Sequence, residues 1–393
     1  MHVGLVVYGG LEEISGGFRY DRRLVAHLER QGDDVEVVAL PWRSYGRHLL
    51  DGGSQSVRER LDRPFDVLLQ DELCHPSLWH HTGRLERPGA IVSLVHLLRS
   101  GPSSRSRHRL DPRRLVEAAV ERRYLRCVDA AVCTSRDTRD RVAKLADVPT
   151  LVAPPAGRVE GVALGVEQVE ARARTAGPLR VAFLGNVIPR KGLPTLLEGL
   201  DRAACAWELT VVGCLEADSG HAESVSATVA EAGLDDRVTF AGEVSDARLA
   251  SILECQHVLA VPATYEGFGM AYLEAMEYGV VPIASAVGGA REFVDHGRNG
   301  YLVEPGTPGA ITAIVERLAS DRDRLAALGA TALETAACHP TWEETMGTVR
   351  QFLEQQVTRS QRNRASGTPK DGRLERGSSG GGLERHTSGG DRL

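Results

Sequence analysis

Short β-branched runs alternate along this chain with stretches whose apolar positions recur at helical spacing. In the first half the runs begin at Val3 (VGLVVYG), Asp34 (DVEVVAL), Phe65 (FDVLLQ), Ala90 (AIVSLVH), Ala130 (AAVCTS) and Thr150 (TLVAPP). Between them lie helix patterns such as Tyr20 to Gln31, where Leu24, Ala26, His27 and Leu28 recur at helical spacing. This alternation predicts right-handed crossovers and a mainly parallel sheet covered on both faces. Residues 158–178 lose strand character and read as a linker with room for one helix. The alternation restarts at LRVAFLGN (Leu179) and continues through WELTVVG, RVTFAG, HVLAVPA, VVPIASA and GYLV.

The expected organisation is an α/β chain of two doubly wound, Rossmann-like domains facing a crevice. The first covers residues 1–157, the second 179–340. A helix over 341–357 follows, with the possibility of crossing back to the first domain. Residues 358–393 carry Gly, Ser, Arg and Glu with almost no apolar side chains, so they read as a disordered tail that buries too little to offset its ordering entropy. Ligands of such sheets bind beyond the carboxyl ends of the strands, which makes the crevice the expected site.

Composition narrows this further. The chain has 393 residues, 42% of them apolar and 5% aromatic, enough for two soluble domains of ordinary size. No apolar run approaches the roughly 18 residues of a membrane span. The start, MHVGLVVYGG, lacks a basic leader and reads as a first strand, so the cytoplasm is the expected compartment. Seven cysteines stand singly with no C-x-x-C pair, which predicts buried free thiols and neither zinc nor disulfides. The net charge of −6 argues against general nucleic-acid binding.

Candidate chemistry lies in loops at strand ends. In ATYEGFGMAYLEAMEYG, Glu266 follows a strand, Gly267 and Gly269 flank Phe268, and Glu274 sits in the helix expected from Met270 to Tyr278. The glycines let backbone N–H groups approach a ligand, and the helix start suits a diphosphate. The acceptor-only carboxylates suit sugar and ribose hydroxyls. Each glutamate alone also fits a surface or helix-start position. FLGNVIPRKG adds Gly185 for a tight turn, the Asn186 amide, and Arg190 and Lys191 as phosphate cations or merely solvated charges. It is neither a Walker loop nor a dinucleotide fingerprint.

In the first half, Gly16 and Gly17 open a helix, as part of a ligand loop or of a structural turn. His96 ends its strand facing the crevice. Asp71, Glu72 and His75 cluster after a strand, either to bind or deprotonate an acceptor hydroxyl or to cap a helix. The only D-x-D string, Asp321 to Asp323, lies in a polar helical segment and is not read as a metal site; no metal is expected. Arg99 to Arg126 holds nine arginines against three acidic residues, among them Arg105, Arg107 and Arg109. That patch suits anionic lipid, an acidic acceptor or plain solvation.

The E-x7-E string with EGFG, after PRKG and before SAVGGAREFVDHGRNGYLVEPG, resembles the retaining glycosyltransferases of family 4, which have the GT-B fold. The resemblance covers nearly all of residues 1–357. It implies Arg190 or Lys191 on a donor diphosphate, Glu274 on ribose hydroxyls, and Glu266 on a hydroxyl of the donor sugar. It also implies backbone contacts from Gly267, Phe268 and Gly269, a phosphate loop at Gly16 and Gly17, Val244 beside the nucleobase, and His96 on the transferred sugar. Many members carry arginine where Asn186 stands, which would shift phosphate charge onto Arg190 and Lys191. The implied activity is retaining transfer of a hexose from a UDP-, GDP- or ADP-sugar to a glycan, lipid-linked or small-molecule acceptor. It needs no cofactor, with peripheral contact at the inner membrane face possible through the basic segment. The alternative is a non-catalytic scaffold of the same fold that binds a sugar nucleotide or glycan.

Overall fold

The computed structural model describes residues 1–12, 15–101, 112–158 and 164–366. Among the described residues, twelve strands form two parallel six-stranded sheets. The first holds β1 (His2–Tyr8), β2 (Asp34–Leu40), β3 (Val67–Asp71), β4 (Ala90–Val95), β5 (Ala130–Cys133) and β6 (Thr150–Val152), in the order β2-β1-β3-β4-β5-β6. The second holds β7 (Leu179–Leu184), β8 (Trp207–Val212), β9 (Val238–Gly242), β10 (Val258–Val261), β11 (Val281–Ser285) and β12 (Tyr301–Val303), in the order β12-β11-β10-β7-β8-β9. All twelve lie where the β-branched runs predict them. Strands β3, β4 and β5 are buried at every position, which is why they read as continuous apolar runs without alternation.

Each sheet has a point where the strand order reverses: β1 beside β3 in the first, β7 beside β10 in the second. Loops leaving such neighbours diverge and open a crevice. The two crevices face each other. Near them the domains touch through small groups: Thr138 Oγ1 donates to the Gly267 carbonyl at 3.4 Å, and the Asp137 N–H donates to Glu292 at 3.0 Å.

The stretch read as a linker carries a helix, Val166–Arg174, that packs on the second domain through Val169 and Ala173. Arg172 donates to the carbonyls of Tyr278 and Gly279, which ties that helix down. The last helix, Trp342–Ala365, opens with a Thr341/Glu344 capping box. It lies on the first domain, burying Trp342, Met346, Val349 and Leu353 among Val3, Leu5, Leu24 and Leu28. Each such side chain contributes about 1.5–3 kcal/mol by leaving water. This corrects the boundary drawn at residue 357. The helix runs on to Ala365 because Ser360 donates to the Gly89 carbonyl and Arg364 to that of Pro88, tertiary contacts that the polar composition conceals. Of the expected tail, 367–393 lies outside the described residues, as do 102–111 with Arg105, Arg107 and Arg109.

The cysteines also need correction. Cys74, Cys127 and Cys133 are buried, but Cys205 and Cys214 are only partly so, and Cys255 and Cys338 are exposed. The exposed pair stand at helix ends, Cys255 after Asp246–Leu253 and Cys338 after Arg322–Ala337, where the chain turns outward.

Candidate active site

Between the two switch points lies a cavity of about 380 Å³, lined from both domains. Its second-domain wall comes from the loops after β7 and β10. The Thr264 N–H donates to the Arg190 carbonyl at 2.8 Å, fastening one loop to the other. Glu266 then sits between two cations, 3.0 Å from Arg190 Nη1 and 2.9 Å from Lys191 Nζ. Burial alone would raise its carboxyl, but Lys191 and Arg190 outweigh that and hold it below the usual range. Its backbone is fixed as well, the Gly289 N–H donating to the Glu266 carbonyl at 3.1 Å.

Gly267 and Gly269 earn their places by different means. A Cβ on Gly267 would run into the His96 carbonyl oxygen, so only glycine lets the two domains meet here. Gly269 has φ 98°, a left-handed turn that leads into the helix Met270–Met276. That helix stops short of the expected Tyr278 at seven residues, and Glu274 in its second turn is buried. The Glu274 carboxylate accepts from Arg158 Nε at 3.3 Å. Arg158 also reaches Asp246 at 3.2 Å, and Asp246 meets Arg19 of the first domain at 3.4 Å. An ionic chain thus crosses the cleft mouth. Gly185, Asn186, Val244 and Phe268 line the same cavity, with the Phe268 ring stacked on Phe293 at 4.9 Å.

The first-domain wall is built on the ends of β1, β3 and β4. Ser15 caps the helix Gly16–Arg30 by accepting from the Phe18 N–H at 3.3 Å. Gly16, Gly17, Asp71, Glu72 and His96 all line the cavity. Glu72 does not point a free carboxylate at it, because its Oε2 accepts from the His96 N–H at 2.6 Å and pins the loop after β4. His96 Nε2 meets Asp21 Oδ1 at 3.1 Å. Burial, with the charge of Asp21 added, pushes the Asp71 carboxyl up to about 7 although His96 opposes it. Burial and Asp71 together push Glu72 well above the usual carboxylate range. Burial disfavours the His96 imidazolium, but Asp21 by charge and hydrogen bond, then Asp71 and Glu72, outweigh it and raise His96 to about 10.

His75 is the one predicted site residue that does not reach the cavity. It is buried below the floor, its Nδ1 bonded to the Glu72 carbonyl at 2.7 Å and its Nε2 3.3 Å from Tyr45 Oη. Burial pushes its imidazole down to about 4, so it serves as a neutral packing group. The Asp321–Asp323 string is structural too: Asp321 caps a helix through the Arg324 N–H, and Asp323 pairs with Arg174. One donor atom each from Asp21, Asp71 and His96 lie within 4.8 Å of one another, a grouping the D-x-D search could not find because its members come from three separate elements.

Among the charged residues at the site, the sequence reading missed Arg19, Asp21, Arg158 and Asp246. Arg158 sits in no motif, whereas Asp246 stands two residues after Val244, in the segment FAGEVSD. Asp21 did carry a signal, since it falls one helical turn after Gly17 on a face otherwise occupied by Phe18, Leu24 and Leu28.

Residues 167–335 match the family described as Glycosyl transferases group 1. A GDP-mannose-dependent alpha-(1-6)-phosphatidylinositol monomannoside mannosyltransferase of Mycobacterium tuberculosis is 31% identical over 183 residues, 44% of this chain and 46% of that protein. The chain therefore spans about half the length of that curated relative. Among solved structures, a sucrose-phosphate synthase from Thermosynechococcus elongatus superposes with a TM-score of 0.75 at 21% identity, covering 90% of this chain and 98% of that one. The Anabaena protein HepE, in complex with UDP and glucose, superposes with a TM-score of 0.66 at 18% identity, covering 90% and 99%. At such identities the superpositions speak for the fold alone, and that fold is GT-B. Among the described residues no helix is long and apolar enough to cross a membrane.

Proposed function

We propose, on the premise that the chain belongs to the glycosyl transferases group 1 and has the GT-B fold, that it moves a hexose from a nucleoside diphosphate sugar to an acceptor hydroxyl, with retention of configuration. The observation that carries this reading is the Glu266–Arg190–Lys191 cluster, which faces His96 across one cavity. A carboxylate held ionised between two cations is a poor nucleophile, since attack would forfeit both ion pairs. It is a good acceptor for sugar hydroxyls, and it holds the cations in place for a diphosphate.

Chemistry then rests on stabilising the departing diphosphate. Arg190 and Lys191 are fixed before the donor arrives and need no reorganisation as charge builds on the leaving oxygens. The diphosphate, still on the face from which the acceptor enters, takes the acceptor proton. Glu274 holds ribose hydroxyls with the carboxylate lone pairs that Arg158 leaves unused, and Val244 lies beside the base. In this reading the cations belong to the protein and no metal is required. The acceptor enters along the Asp71 side, and the basic segment 99–126 would rest on anionic lipid if that acceptor is lipid-linked.

The relatives differ in donor, one named for GDP-mannose and another bound to UDP and glucose, so the base is an open variable that experiment fixes. Calorimetric titration of the purified chain with GDP, UDP and ADP and their hexose conjugates tests the reading. One nucleotide binding tightly, with its hexose conjugate turned over, supports it; no binding by any of them contradicts it and favours the glycan-binding form of the scaffold alternative.

A further inference from the structure

The transferase reading uses His96 but says nothing of the buried acid behind it. Asp21 is fully buried, its Oδ1 meets His96 Nε2 at 3.1 Å, and its Oδ2 has no hydrogen-bond partner among the described residues. A buried carboxylate left half unpaired is costly and needs a compensating positive charge. The ring it faces is held by its neighbours. A Cβ on Gly17 would sit 3.2 Å from its Cδ2, Tyr20 meets it edge-on at 5.2 Å between centroids, and the Glu72 carboxylate holds its backbone N–H. With Nε2 committed to Asp21, Nδ1 is the ring nitrogen left for the cavity that His96 lines.

We infer that Asp21 is the positioning residue of His96: it holds the imidazole as a cation whose Nδ1–H points into the cleft, so that His96 enters the reaction as a hydrogen-bond donor and never as a base. The donor role toward the transferred sugar rests on the transferase reading; the charge state does not. The groups acting on the ring are Asp21 and Tyr20 from the helix Gly16–Arg30, and Asp71 and Glu72 from the end of β3. The second domain meets it through the backbone of Gly267, which does not titrate. Three carboxyl groups around one imidazole favour its charged form, in keeping with the upward shift of His96. A cationic His96 also supplies the positive charge that the buried Asp21 carboxylate calls for, while the next carboxyl, Asp71, is pushed toward its protonated form.

The test is nitrogen-15 NMR of the histidine rings in the full chain, with His96 assigned by its loss in His96→Gln. Both ring nitrogens of His96 should carry protons at pH 8 in the unmodified chain. In Asp21→Asn the titration midpoint should fall toward the ordinary value of about 6.5, a drop of at least about a hundredfold in proton affinity, and Asp21→Glu should restore much of it. A neutral His96 at pH 8 in the unmodified chain overturns the inference without Asp21→Asn having to fold. So does an Asp21→Asn chain that titrates like the original.

Release of nucleoside diphosphate from the nucleotide sugar chosen by calorimetry gives the functional arm. Its rate should be level from pH 6 to 8 in the unmodified chain and fall as pH rises in Asp21→Asn, with affinity for the free nucleoside diphosphate unchanged because its cations lie on the other wall. Loss of activity in EDTA with recovery in manganese would make Asp21, Asp71 and His96 a cation site and would also overturn the inference. If no nucleotide binds but His96 is cationic, the transferase reading falls and the charge assignment stands.

Discussion

The two walls of the cleft treat buried charge in opposite ways. On the second-domain wall Glu266 has two cations within hydrogen-bond distance, and its carboxyl is held below the ordinary range. On the first-domain wall Asp21, Asp71 and Glu72 share one imidazole, and Asp71 and Glu72 are pushed upward. One wall is a fixed ionic lattice suited to anions; on the other, the buried carboxyls share one imidazole and hold their protons to higher pH. The difference shows how one cleft can hold a leaving diphosphate on one side and present neutral or donor groups to sugar hydroxyls on the other.

The sharpest way to break that contrast is to remove a cation. Lys191→Ala should lower the turnover of the donor by about 10²–10³-fold, the usual cost of losing a preorganised electrostatic contact, and a steady-state assay of nucleoside diphosphate release checks it. Gly267→Ala should come next. It leaves every charge in place but forces the walls apart at the His96 carbonyl, so turnover should fall by about 10²-fold while the isolated nucleotide still binds. Glu274→Ala should weaken nucleotide binding by about 1–3 kcal/mol, measured by calorimetry.

The mildest change probes the other wall. Asp71 has its folded pKa raised to about 7, so the stability it supports is complete below its unfolded value of about 3.9 and is lost as pH rises through 7. Asp71→Asn should therefore raise Tm at pH 8, with the gain vanishing near pH 4, as followed by thermal melts. An equal gain at both pH values would mean that Asp71 is not a proton store.

The walls also differ in how far the sequence discloses them. The twelve strands were legible because each is a short apolar run buried in a parallel sheet. The second-domain site was legible because its parts sit in two continuous strings, one after β7 and one after β10. Asp21 and His96, by contrast, stand 75 residues apart and meet only because β1 and β4 end at the same edge of the first sheet. Nothing local distinguishes His75, which is inert in the core, from His96, which lines the cleft. Both follow a strand, and only the turn of the chain after Glu72 sends one below the floor. Arg158 was hidden for a different reason: its partners Glu274 and Asp246 belong to a domain it precedes. The end of the last helix was missed because its final turns are held by backbone carbonyls of Pro88 and Gly89, which leave no mark in composition.

The measurement closest to the central claim is a crystal structure of the chain with the nucleotide that calorimetry selects. The account predicts the diphosphate against Arg190 and Lys191, ribose hydroxyls on the Glu274 carboxylate, and Glu266 still ionised beside its cations with a free face toward the cleft. A nucleotide seated elsewhere, or seated here with Glu274 untouched and bound only to Arg158, would contradict it.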